Sequence, residues 1–231
     1  NWAINIKDAS NNIKRAFTGT GASIQQEWDG KDTAGAVVAD GVYTYAIDAT
    51  DPVTGSVAKQ VSGQVIVDTT KPTASIITPS ANATIAGIVA IKALANDANW
   101  LGSSWTNCAL YYGQGAMPTS WKTIWYSYNP VLPDVYGNPP VIYNWDTSNL
   151  PNDDYILRMH IDDKAGNYKE LDVPVKIYNV TIHTNSVTVN PFSPNNDKSL
   201  DTTTLKATIT TSSNWAINIK DASNNIKRAF T

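Results

Sequence analysis

The sequence predicts an all-β chain of tandem sandwiches, and three observations carry that prediction. Apolar and polar residues alternate over short runs, as in Trp2-Ala-Ile-Asn-Ile6 and Tyr155-Ile-Leu-Arg-Met-His-Ile161. A period of two is the signature of a strand with one buried face. The runs are punctuated by turn-forming clusters such as Asp8-Ala-Ser-Asn-Asn12, Asp40-Gly41 and Asp162-Asp-Lys-Ala-Gly-Asn167,. Finally, NWAINIKDASNNIKRAFT occurs at 1–18 and again at 214–231, a period of 213 residues (214 minus 1). Such an identity is expected of a tandem array, of which this chain is one window.

Composition narrows the function classes. The 231 residues are 42% hydrophobic but only 16% charged, with polarity supplied by Thr, Ser, Asn and Asp. A net charge of −3 offers no basic field for nucleic acid, and no apolar run is long enough to span a bilayer,. Cys108 is the one cysteine, so an intrachain disulfide and a cysteine metal site are both excluded,. It falls in phase with Leu110 and Tyr112 and is expected to face a core, with an intermolecular bridge as the competing reading.

In order, the first strands are expected over Trp2–Lys7 and Ile13–Phe17, joined by the Asp8–Asn12 turn. Tyr43, Tyr45 and Ile47 then point one way from a strand, and Gln60–Asp68 supplies the next, with Val61, Val65 and Val67 as its apolar content. The spaced motif W-x-I-x-I-x-D, then W-D-G-x-D, then V-x-D-G-x-Y-x-Y-x-I resembles the FlgD-type immunoglobulin-like (Ig-like) module of secreted bacterial proteins. The opening strand of that module, N-P-F-S-P-N, is absent before residue 1 but present as Val189-Asn-Pro-Phe-Ser-Pro-Asn-Asn-Asp197. The resemblance implies that one complete module runs from about residue 186 to 231 and continues as residues 19–70. Residues 1–70 and 182–231 are therefore expected to be the two parts of such a module. A continuous tandem array accounts for the duplication more simply than strand donation between chains, which would leave one hairpin without a place.

Val67-Asp-Thr-Thr-Lys-Pro72 resembles the joint between bacterial Ig-like domains, and Pro72 makes it short and stiff,. Residues 71–181 read as a second module of the broad bacterial Ig-like class, with strands over Ile88–Ala95, Asn107–Tyr112, Tyr155–Ile161 and Val173–Ile177. Trp28-Asp29 before Asp40-Gly41-x-Tyr43 parallels Trp145-Asp146 before Asp153-Asp154-Tyr155. A Trp ending one strand is expected to pack on a Tyr opening the next, with Asp capping the turn between them.

Residues 100–145 are crowded with aromatics, including Trp100, Trp105, Trp121, Trp125, Tyr126, Tyr128 and Tyr136. Three readings stand: core and loop anchoring, an interface to a neighbouring module or filament subunit, or a polysaccharide platform. Asn195, Asp197, Ser199 and Asp201 set oxygen ligands at alternate positions, as calcium loops do,. Asn196 and Lys198 stand where glycines are expected, and no distal Glu follows, so an ordinary Asx-turn loop competes with calcium. Asn82-Ala-Thr84 and Asn179-Val-Thr181 fit the N-glycosylation pattern,.

His160 is expected on a solvent face and His183 in a linker, with no nucleophile or phosphate-loop motif near either,. No enzymatic role and no cofactor are expected. The combined expectation is a structural repeat of an extracellular bacterial fibre or giant cell-surface protein whose partners are further copies of itself. The alternative is an adhesin or accessory module that holds polysaccharide through the aromatic loops.

Overall fold

The computed structural model describes residues 1–100 and 108–231. The described residues are all-β, with five sheets and no helix. Trp105 and Asn107 lie outside the described residues.

The first unit is one four-stranded antiparallel sheet. Strands β1 (Trp2–Lys7), β2 (Ile13–Gly19), β3 (Gly41–Ala49) and β4 (Val61–Val67) lie in the order β2-β1-β3-β4. Alternation puts Ile4, Ile6 and Tyr43 on one face, where Val38 and Trp28 from the intervening loop join them. Two rings lie flat over glycines of the neighbouring strand. A Cβ at Gly19 would come within 2.1 Å of the Trp2 ring, and one at Gly63 within 2.3 Å of the Tyr45 hydroxyl. Those glycines are required by close approach rather than by backbone conformation.

The second unit is a sandwich. Strands β5 (Thr73–Thr78), β7 (Ile88–Asn96) and β10 (Val141–Asp146) form one sheet in the order β10-β7-β5. Strands β6 (Ala83–Ile85), β8 (Cys108–Gln114), β9 (Lys122–Ser127), β11 (Asp153–Asp162) and β12 (Tyr168–Ile177) form the other, in the order β6-β12-β11-β8-β9. Ile91, Leu110, Trp145, Leu157, Met159 and Ile177 fill the space between them and are fully or almost fully buried. Cys108 belongs to the same core, and burial pushes its thiol up to about 12,.

The predicted tryptophan–tyrosine pairs are present in both units. Trp28 meets Tyr43 edge-on at 5.4 Å, and Trp145 meets Tyr155 edge-on at 6.5 Å. Each tyrosine hydroxyl also donates to the carbonyl four residues upstream, Tyr43 to Ala39 and Tyr155 to Pro151. Trp28 differs from expectation in lying in a loop, held by its Nε1 donating to the Lys31 carbonyl at 2.8 Å.

One five-residue turn recurs. Asp8, Asp134, Asp163 and Asp221 each accept, at one carboxylate oxygen, the N–H groups two and four residues on. At the other oxygen each accepts the side-chain amide of the asparagine that ends the turn. The fourth position is left-handed, with φ of 67° at Asn11 and Asn224, 85° at Gly137 and 87° at Gly166, which glycine and asparagine tolerate best,. The backbone N–H of Asn12, with help from Lys14, lowers the Asp8 carboxyl to about 2. The folded value lies below the unfolded one, so this contribution is present above about pH 4 and is lost as pH falls toward 2,.

The third segment holds two hairpins, β13 (Ile182–Val187) with β14 (Leu205–Ile209) and β15 (Ile217–Lys220) with β16 (Ile226–Phe230). His183 lies in β13, not in a linker, because residues 182–187 pair with β14. The β15–β16 hairpin repeats the register of β1–β2: Ile217 faces Phe230 as Ile4 faces Phe17, and both hairpins have their irregularity one residue before the turn.

Burial separates the two copies. Ile6 is 4% exposed and its counterpart Ile219 is 43% exposed. Ile6→Ala is expected to destabilise the first unit by about 2–4 kcal/mol, and Ile219→Ala to change stability by less than about 1 kcal/mol, measured by urea unfolding of dilute protein.

Candidate assembly surfaces and the joint between units

The same hairpin sits in two complementary fragments. In the first unit β1 pairs with β2 on one edge and β3 on the other, from Trp2 opposite Ala49 to Lys7 opposite Thr44. In the third segment β15 pairs with β16, and with no other strand among the described residues. Residues of β13, β14, β15 and β16 come together around Val187, Leu205 and Ile217. Between them is an open apolar cleft of 680 Å³, lined by Val187, Phe192, Leu205, Trp215, Ile217 and Phe230 among others. Trp215 is 53% exposed there, whereas Trp2 is half-buried and its Nε1 is enclosed without an acceptor. An unmatched buried N–H is disfavoured.

The four residues predicted as calcium ligands are in one loop, where oxygens of Asn195, Asp197 and Asp201 accept hydrogen bonds from within the loop. Asp197 accepts the Ser199 N–H at 2.8 Å and the Asn195 amide at 2.9 Å, and Asp201 accepts the N–H groups of Asn196 and Lys198. The non-glycine residues Asn196 and Lys198 take positive φ of 70° and 69° to permit this. The arrangement is that of an Asx-turn loop.

The predicted aromatic interface divides by strand phase. Trp100 and Trp125 pack against the second core, with the Trp100 indole donating to the Tyr128 carbonyl at 2.7 Å. Trp121 is on the outer face beneath Arg158, whose guanidinium lies 4.2 Å from the ring centroid and forks onto Asp172 at 2.7 Å through both nitrogens. Tyr126 and Tyr128 are exposed and pack on each other at 5.7 Å, while Tyr136 is 87% exposed at the tip of the Asp134 turn. His160, also on the outer face, lies between Glu170 and Asp162 at 3.1 and 3.0 Å.

The joint between the first two units is densely bonded, beyond what the proline alone implied. Asp40 accepts from the N–H and hydroxyl of Thr69 and from the hydroxyl of Thr70, and these bonds hold its carboxyl below the usual range. Asp68 then accepts the Asn99 amide at 2.7 Å on its carboxylate and the Asn167 amide at 3.2 Å on its carbonyl. Pro72 is buried. Carboxylate oxygens of Asp68, Asp97 and Asp163 all lie within 4.8 Å of one another, and these are the described residues placed to hold a hard divalent cation,. Sequence reading missed this trio because its members come from three separate strand ends.

At the other end of the second unit Asn179 has the equivalent role. Its Oδ1 accepts the Gly87 N–H at 3.1 Å, and its Nδ2 donates to the carbonyls of Thr147 and Leu150 at 2.6 and 3.3 Å. It is 8% exposed, so the amide that the glycosylation pattern would modify is enclosed and already bonded.

No family model matches the sequence, and no curated protein does. Among solved structures, the chain is similar to the crystal structure of a tetra-tandem repeat in the extending region of a large adhesion protein, at 18% identity and a TM-score of 0.37. The match covers 100% of this chain and 55% of that one, and it is too loose to carry a statement about this chain.

Asn179→Ala removes the partner of the half-buried Gly87 N–H, the side-chain donor to the Leu150 carbonyl and one of the two donors to the Thr147 carbonyl. It is expected to lower the stability of the second unit by about 1–3 kcal/mol, read from its thermal transition.

Proposed function

We propose that the chain is the structural repeat unit of an extracellular bacterial fibre or giant cell-surface protein, self-associating through Ig-like modules of two types. The observation that supports this best is the pair of complementary fragments. Each holds the same hairpin in the same register, one flanked by β3 and β4, the other by β13 and β14. A repeating assembly completes both at every period. The matching tryptophan–tyrosine pairs and tyrosine hydroxyl bonds support a shared Ig-like plan for the two kinds of module,.

The joints support a mechanical role. Hydrogen bonds from Thr69, Thr70, Asn99 and Asn167 limit bending where flexible linkers would allow it,. In this reading the chain is not an enzyme and needs no cofactor, and its partners are copies of itself outside the cell. The exposed Tyr126, Tyr128 and Tyr136 favour a second reading, an adhesin or accessory module that stacks sugar rings on them,.

Electron microscopy of purified protein checks the first reading. With strands of about nine residues and about 3.3 Å per residue, two modules in line give an axial repeat of about 80 Å. Filaments with that repeat are the expected result, and monodisperse single particles at all concentrations would contradict it.

A further inference from the structure

The two glycosylation patterns of the sequence fare differently in the fold: one is presented to solvent and the other is built into the second unit. We infer that Asn82 carries an N-linked glycan, transferred from a lipid-diphosphate-linked sugar donor, and that Asn179 carries none. This rests on the extracellular reading, because such acceptors belong to chains that leave the cytoplasm.

Asn82 lies at the turn between β5 and β6, with φ of 64°, and its own N–H is anchored to the Pro174 carbonyl of β12 at 2.7 Å. The main chain is held there while the side chains point outward. Asn82 and Thr84 are both exposed, and among the described residues neither the Asn82 amide nor the Thr84 hydroxyl has a hydrogen-bond partner. Ala83 between them satisfies the pattern, which excludes only proline,. At Asn179-Val-Thr181 both polar groups are engaged instead. The Asn179 amide nitrogen donates to two carbonyls inside the fold, and the Thr181 hydroxyl is 2.6 Å from that of Thr210. A sugar on the Asn179 nitrogen displaces those bonds, so the folded chain does not carry it.

The surroundings of Asn82 say what the glycan does. Strand β6 ends its sheet, paired with β12 alone among the described residues. An open strand edge invites pairing with another chain, and natural sheets blunt such edges with charge or with a cover. Here charge is absent: residues 73–91 hold no charged side chain, and Ile77 and Ile88 are 42 and 71% exposed. A hydrated glycan one residue before β6 supplies the cover that lysine supplies on the opposite edge, where β9 begins with Lys122. In the transfer the Asn82 Nδ2 attacks the anomeric carbon of the donor sugar. The carbon–nitrogen bond forms, the bond from that carbon to the diphosphate oxygen breaks, and one amide proton is released as the lipid diphosphate leaves. Nothing is oxidised or reduced.

Peptide mass spectrometry of the folded protein, recovered from outside the cells that make it, tests this. The peptide holding Asn82 is expected to be heavier by one or more sugar residues, with fragment ions that place them on the Asn82 side-chain nitrogen. The peptide holding Asn179 is expected at its unmodified mass. Thr84→Val removes the hydroxyl from the pattern and keeps a β-branched residue on β6, so the addition is expected to be lost. Thr84→Ser keeps the hydroxyl and is expected to retain the addition. An unmodified Asn82 in exported protein overturns the proposal and leaves the extracellular reading standing, as does an addition that survives Thr84→Val or a sugar on Asn179. Protein found only inside the cells overturns the extracellular reading and the glycan together.

Discussion

A sheet with one apolar face is stable only when something covers that face, and this constraint organises the whole chain. In the second unit it is met internally, since two sheets close on Ile91, Leu110, Leu157 and Met159 and leave almost none of them exposed. In the first unit it is met in part, by Val38 and Trp28 folded over from a loop. In the third segment residues of the two hairpins line an apolar cleft that is open.

The repeated hairpin separates local from non-local causes. Turn geometry, register, ion pair and cation–ring contact are the same in both copies, so the 18 residues specify them unaided. Burial is not the same, because it is set by residues far away in sequence. That contrast also explains what was legible beforehand. Strand positions followed from alternation, and the Asp turns followed from Asp, Asn and Gly at fixed spacing. The carboxylates of Asp68, Asp97 and Asp163 converge only once three strands end at one joint, and no spacing in the sequence announces that. Trp100 and Trp125 belong to the core and Tyr126 to the surface, a division decided by strand phase within a segment that looked uniformly aromatic.

The connecting segments are held by short polar contacts. Asp40, Asp68 and Asn179 each tie a connecting segment back to a strand end, using side-chain oxygens and amides rather than a large apolar interface. Such contacts hold the connecting segments in place while the apolar cores on either side stay separate.

The central claim is that 182–231 and 19–70 are two parts of one module sharing a single hairpin. A chain that runs 182–231 and continues directly into 19–70 tests it, because Thr231 then precedes Gly19 as Thr18 does in the native sequence. Amide hydrogen exchange of that chain is predicted to show residues 217–220 protected together with 41–49, in one cooperative unit. Exchange at 217–220 as fast as in the single 231-residue chain, with only 41–67 protected, would contradict it.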